Sequence, residues 1–302
     1  MRALPILVTF ILVIASIPVA NAGKAEDLED VGFTFGGLTL NANTTDNISS
    51  DFQNLPAVVE YYTATWCGNC VDVEHALDHI EEDGVEIRQF HFHRNQDSED
   101  PWGTEEGEAR WDERYGGGTA PTVVFNGSIK QMGSVPDGDS LEDDFTALAE
   151  RDLDLGTGAS SMGWEKVDND TGILGWAVSY DPEILPEGAE LVHQLWVTER
   201  FAYFPEGSNG VENYPHVVRA LFDLGNGTAG TITIDLPEEW DEDDLQLSLI
   251  HQVILPEPVD ENENEPEPKP EPAEDDSMPS LGFVGLIAAL MIAAFTVQRK
   301  QQ

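Results

Sequence analysis

Ala57 Val58 Val59 Glu60 Tyr61 Tyr62 Thr63 Ala64, followed after Thr65 and Trp66 by Cys67 Gly68 Asn69 Cys70 and then by Val71 to Glu82, is the stretch that decides the fold. The first eight residues are mostly apolar, β-branched or aromatic, and read as a buried strand. In the last twelve, Val73, Ala76, Leu77 and Ile80 share one face of an amphipathic helix. Between them stand the only two cysteines of the chain. A C-x-x-C where a strand meets a helix reads as a redox site. Cys67 falls at a helix N-terminus, where unsatisfied amides and the macrodipole favour a thiolate. Cys70, a turn further on, is then within reach to resolve a mixed disulfide. Two alternatives stand beside this reading, a purely structural disulfide and half of a zinc site. Zinc needs about four ligands, and there is no second C-x-x-C to supply them.

Composition bounds the rest. The 302 residues carry 58 Asp and Glu against 14 Lys and Arg, a formal charge of −44. That length suits two domains with tails, and that charge repels nucleic acid and keeps a protein soluble, as in salt-adapted organisms. Residues 1–22, with Arg2, the apolar run Leu4 to Val19 and Ala20 Asn21 Ala22, have the layout of a cleaved signal peptide. An uncleaved anchor is the alternative. Leu281 to Val297 gives 17 uncharged, mostly apolar residues ahead of Arg299 and Lys300, about 26 Å as a helix, enough for a thin bilayer. Basic residues after the span put residues 298–302 in the cytoplasm and everything between the hydrophobic ends outside the cell. The dithiol is therefore expected in a compartment more oxidising than the cytosol. Five Asn-x-Ser/Thr triplets, at Asn43, Asn47, Asn126, Asn169 and Asn226, suit an exported protein.

In chain order, 23–55 reads as an N-terminal extension, with a short hairpin around Gly36 Gly37 and a loop over 41–54. Residues 56–155 alternate strand and helix. The C-x-x-C helix is followed by a strand over 85–93 and a helix over 105–115 capped by Thr104 and ended by Gly116 Gly117 Gly118. Two short strands then flank Asn126 Gly127, a strong hairpin signal, before a helix over 141–153. This β-α-β-α-β-β-α order leaves few topologies once crossovers are right-handed. His91 and His93 share a strand face and could bind metal, but a third ligand is missing, so packed or solvated histidines are expected. Trp102 and Trp111 read as core residues.

On these residues the chain resembles the thioredoxin superfamily. Trp66 Cys67 Gly68 Asn69 Cys70 looks like its active-site motif, and Ala120 Pro121 Thr122, before a strand about fifty residues later, looks like its cis-proline loop. The resemblance implies that Cys67 and Cys70 are catalytic and that Trp66, Ala120 and Pro121 bind substrate, with no cofactor and no metal. Its buried acid, six residues before the first cysteine, is here replaced by Tyr61. Glu60 is the nearest candidate proton acceptor, although a one-residue offset in a strand turns a side chain to the other face.

Residues 156–255 carry strand candidates at 163–167, 173–180, 190–203, 217–224, 231–236 and 245–253, split by Gly, Pro, Asn and Asp turns. Strands without helices predict an all-β sandwich. In it His193, His216 and His251 are expected to be structural, and the domain to serve interaction or spacing. A thioredoxin-like domain followed by a sandwich resembles the thioredoxin-like outer-membrane lipoproteins of Bacteroidetes, with Asn213 to Ala220 as the matching segment. Residues 256–280, rich in Pro and Glu, read as an extended linker. Residues 279–300 resemble the C-terminal sorting signals of archaeal surface proteins, which implies that the span at 281–297 is cut off and replaced by a lipid; a retained helix is the alternative, because a Pro-Gly-Phe core is not intact here. The expected fold is thus an α/β thioredoxin-like domain plus a β-sandwich, tethered outside the cell by its C-terminus. The expected function is thiol-disulfide exchange with protein thiols and disulfides through a redox partner the sequence does not identify. The rival is a cell-surface binding or structural protein with a permanent Cys67–Cys70 disulfide.

Overall fold

The computed structural model describes residues 23–95 and 99–256. The expected signal peptide, the linker from residue 257 on, the C-terminal span and the tail lie outside the described residues. Among those described, no helix is long and apolar enough to cross a membrane.

The fold is mixed α/β and rich in strands. The apolar run becomes β4 (Ala57–Thr63), the C-x-x-C opens α1 (Cys70–Glu82), and β5 (Ile87–His93) returns parallel to β4. Thr104 caps α2 (Glu105–Ala109), its hydroxyl accepting from the Gly107 amide at 3.0 Å, and a π turn (Arg110–Arg114) continues it. β6 (Thr122–Phe125) and β7 (Ile129–Met132) form the hairpin at Asn126 Gly127, and Ser140 caps α3 (Leu141–Ala149). Asn126 and Gly127 both have positive φ, 49° and 65°, as a two-residue hairpin turn requires. That turn is an interior one. The Asn126 side chain is buried and accepts from the Val58 amide at 2.9 Å, so of the five Asn-x-Ser/Thr triplets this one is closed to a glycan.

The following strands are β8 (Gly158–Lys166), β9 (Thr171–Tyr180), β10 (Glu190–Tyr203), β11 (Asn213–Gly225), β12 (Ala229–Asp235) and β13 (Leu245–Ile254). They do not build a sandwich by themselves. The stretch before β4 supplies β1 (Glu26–Asp27), β2 (Phe33–Asn41) and β3 (Asp46–Asp51). One sheet runs β1-β7-β6-β4-β5-β11-β10-β13-β2, and a second runs β12-β9-β8-β3. The expected hairpin at Gly36 Gly37 is instead a bulge within the single strand β2. Ile250 pairs with Gly36 and Leu249 with Leu38, so one residue of β2 is unmatched. The expected loop over 41–54 contains β3, the outer strand beside β8.

The nine-stranded sheet has to curl. Flat, its eight spacings of about 4.8 Å would part β1 from β2 by about 38 Å. The five residues 28–32 span at most about 21 Å from Asp27 to Phe33. The Thr34 amide indeed donates to the Asn126 carbonyl at 2.7 Å, which brings the β2 edge back onto the β6–β7 turn.

Three apolar clusters follow from this layout. Val73, Ala76, Leu77 and Ile80 of α1 pack with Phe145 and Leu148 of α3 against Val59, Tyr61 and Val123 of the sheet. On its other face, Tyr62, Phe90, Phe92, Trp111 and Tyr115 meet Trp196, Val218 and Ile250. The two sheets enclose Met162, Trp164, Leu174, Leu195, Val197, Leu247 and Leu249.

Candidate redox site

Alternation along β4 sorts the site. Val59 and Tyr61 face α1, whereas Val58 and Tyr62 face the opposite cluster. Where β4 ends, the Cys67 amide bonds the Ala64 carbonyl at 3.0 Å and the Cys70 amide the Cys67 carbonyl at 3.1 Å. This tight turn carries Cys67 to the mouth of α1 and Cys70 into its first turn. The two form a disulfide with Cα atoms 5.3 Å apart. Cys67 is 7 % exposed and Cys70 1 %, while Gly68 and Asn69 between them are exposed. Cys67 is thus the less deeply buried of the two and lies at the positive end of the helix.

The structure gathers most of the residues singled out in the sequence. The Ala120–Pro121 bond is cis, and Ala120 and Trp66 both pack against the cluster containing the cysteines. Pro121 is buried, its carbonyl accepting from the Gly133 amide at 2.8 Å. Glu60 is the exception and is a correction. Its carboxylate points to the other side of the sheet, where Arg110 grips it through Nε at 2.5 Å and Nη2 at 2.7 Å and the Tyr115 and Tyr62 hydroxyls donate to it. An ion-paired acid behind the strand has no route to Cys70, so Glu60 is structural.

Tyr61 holds the position under α1. Its buried hydroxyl donates to the Cys70 carbonyl at 2.7 Å, and its ring stands edge-on to His91 at 4.9 Å. Burial drives its pKa well above that of an ordinary tyrosine. Four residues after Cys70, and so on the same side of the helix, lies Glu74. Burial, reinforced by Asp78, pushes Glu74 up to about 8. His91 Nδ1 lies 3.9 Å from its carboxylate, and the His216 ring 5.4 Å from that of His91. Burial lowers both histidines, His216 to about 4. His216 has φ 54°, an uncommon conformation for a residue with a side chain.

His91 and His93 do not share a ligand. His93 Nδ1 is 2.8 Å from Asp100 instead. Among the described residues no group of three or more His, Cys, Asp or Glu has a metal-holding arrangement.

The loop before the cysteines is fastened from two sides. The buried Asp100 carboxylate accepts from the Thr65 amide at 2.8 Å as well as meeting His93. The turn between β10 and β11 closes from the other side, with the Ser208 and Asn209 amides donating to the Thr65 carbonyl at 2.9 and 3.0 Å. Thr65, Trp66, Glu99, Phe204, Glu206 and Ser208 line a cleft of about 370 Å³ there.

Sequence reading missed Glu74, Asp100 and this turn. The spacing from Cys70 could have flagged Glu74. Asp100 has no distinguishing pattern among its acidic neighbours, and a contact made by residues 208 and 209 with residue 65 has no local signal.

No protein-family model matches the chain, and no curated protein matches it. Among solved structures, HBP35 of Porphyromonas gingivalis superposes with a TM-score of 0.47 and 17% identity, over 74% of this chain and 80% of that one. A structural-genomics protein of Agrobacterium tumefaciens gives 0.40 and 15% over 66% and 93%.

Proposed function

We propose that this protein is a thioredoxin-like thiol-disulfide oxidoreductase, held outside the cell by its C-terminal segment. The observation that carries the reading is the Cys67–Cys70 disulfide at the N-terminus of α1, with the cis Ala120–Pro121 bond beside it. In the oxidised form, a substrate thiolate attacks the Cys67 sulfur, the Cys67–Cys70 bond breaks, and Cys70 leaves as thiolate. The second substrate thiol, losing its proton, then attacks the substrate sulfur of the mixed disulfide and releases Cys67. Two electrons have passed to the protein and the substrate is a disulfide. The reverse sequence reduces a substrate. In both directions Cys67 is the exchanging partner, because its thiolate gains from the helix amides while Cys70 lies deeper.

The exposed Asp72 carboxylate opposes a thiolate, but it is solvated whereas the amides adjoin the sulfur, and the buried Glu74, pushed up to about 8, carries little charge at neutral pH. Iodoacetamide should label Cys67 well before Cys70 in the reduced protein, and Cys67→Ser should abolish exchange with a model disulfide. Faster labelling of Cys70 would overturn the assignment.

The near-complete burial of both sulfurs favours a second reading, a surface binding protein on this scaffold whose disulfide never exchanges. The reduction potential separates the two. A value below about −300 mV marks a structural bridge, and one between about −270 and −120 mV an exchanging pair.

A further inference from the structure

We infer that the β10–β11 turn forms one wall of the substrate site, and that this wall selects protein thiols flanked by a lysine or arginine. The inference rests on the oxidoreductase reading and names its substrate class. The cleft beside Trp66 is built from both halves of the molecule. Thr65, Trp66 and Glu99 come from the cysteine side, and Phe204, Glu206 and Ser208 from the turn. Trp66 directly precedes Cys67, so a polypeptide whose sulfur reaches Cys67 has its neighbouring residues over this cleft.

The turn is a fixed wall. Two amide bonds hold it to Thr65, and the Asn209 side chain accepts from the Val211 amide at 3.1 Å and from the Tyr214 hydroxyl at 2.8 Å. Gly207 permits the close approach, since a Cβ there would lie 2.1 Å from the Tyr214 hydroxyl oxygen.

The chemistry of the lining is that of a cation site. Two aromatic residues, Trp66 and Phe204, line it, and an aromatic ring attracts a cation; the exposed Glu206 offers a carboxylate for a charge-assisted hydrogen bond. None of the six lining residues is basic. A long side chain with an apolar stem and a cationic head matches a lining of aromatic residues and a carboxylate. A glutamate in the same place meets the like charge of Glu206.

Single turnover of the disulfide form against peptide dithiols tests this, because the protein's own disulfide is the oxidant. Two peptides differing only in Arg or Glu beside the attacking cysteine are compared at 1 M salt, which suppresses the general pull of an acidic protein. One ion pair and one cation–π contact together are worth about tenfold in kcat/KM for the Arg peptide. E206Q should cut that ratio to about threefold. E187Q, on the exposed turn at the far end of β10, should leave it unchanged. A wild-type ratio near one, or a ratio that E206Q leaves intact, overturns the inference. A small neutral dithiol serves as the control for the parent reading. If the protein does not oxidise it, the oxidoreductase reading fails, and titration calorimetry with cysteine-free forms of the two peptides still decides the cleft. Preference for the Arg form that E206Q weakens upholds it, and equal binding overturns it.

Discussion

Glu60 and Tyr61 show what one position on a strand decides. Both are fully buried, yet one lies under α1 against Cys70 and the other behind the sheet against Arg110. Arg110 also reaches Gln252 at 2.8 Å and covers the Trp196 ring at 4.7 Å. Removing it strands a buried carboxylate, so Arg110→Ala should cost about 3–5 kcal/mol in a denaturant titration, whereas the exposed Arg151–Asp27 pair should cost no more than about 1 kcal/mol. Burial also sets the pH response. His251, at the centre of a Ser160–His251–His193 chain, is held down to about 3 and His216 to about 4. The unfolded chain takes up their protons from about pH 6.5 downward while the folded one does not, so their contribution is complete above that pH and is lost below it. Glu74 acts oppositely. Held up to about 8, it keeps a proton when folded that the unfolded chain has already released, so stability declines from about pH 4.5 to 8. The two effects together place the maximum of the denaturation midpoint near pH 6.5, and Glu74→Gln should remove the decline above that pH and steepen the rise between about pH 4.5 and 6.5. The C-x-x-C was legible from its place between strand and helix, and a resemblance of motifs drew attention to Trp66 and Ala120, which the fold packs against the cluster holding both cysteines. The offset of Glu60 foretold that its carboxylate would turn to the other face, but nothing in the spacing named Arg110 as the partner that waits there.

At the scale of elements, the strands and helices with full apolar periodicity were legible, and β10 was bounded at its observed ends, Glu190 and Tyr203. Two were not. β3 presents mostly polar side chains and pairs on one side only, so nothing in Asp46–Asp51 but Ile48 signals a core. In β2, Gly36 Gly37 carries the signal of a turn because a bulge and a turn require the same backbone freedom. At Gly36, φ is 122° and a Cβ would sit 2.6 Å from the Leu249 carbonyl oxygen. Gly36→Ala should therefore destabilise by about 2 kcal/mol or more, shown by a lowered midpoint with unchanged slope. Equal stability of the variant would mean that the bulge is not required.

The whole molecule is joined by its backbone and its core. β5 and β11 meet as parallel neighbours at His91 and Val217, and the Glu60–Arg110–Gln252–Gln194 chain crosses the same line in the interior. Near-ultraviolet dichroism and backbone dichroism should accordingly lose signal in a single coincident thermal transition. Residues 156–255 produced alone, lacking β2 and β3, should not give a cooperative one. Two separated transitions in the full chain would show halves that fold independently. None of this union was legible beforehand, because it rests on pairings between residues far apart in the chain.

The seam between β2 and β13 has a consequence in time. Thr39 and Ser248, whose hydroxyls meet at 2.7 Å, are separated by 209 positions. At about 5–20 residues per second, a ribosome delivers the second of them roughly 10–40 s after the first. For that interval β2 has a bare edge, and the sandwich core has a missing side. The polypeptide therefore spends that interval as an unfinished chain, and a stop codon anywhere before Leu245 yields a product that exposes apolar surface for proteolysis.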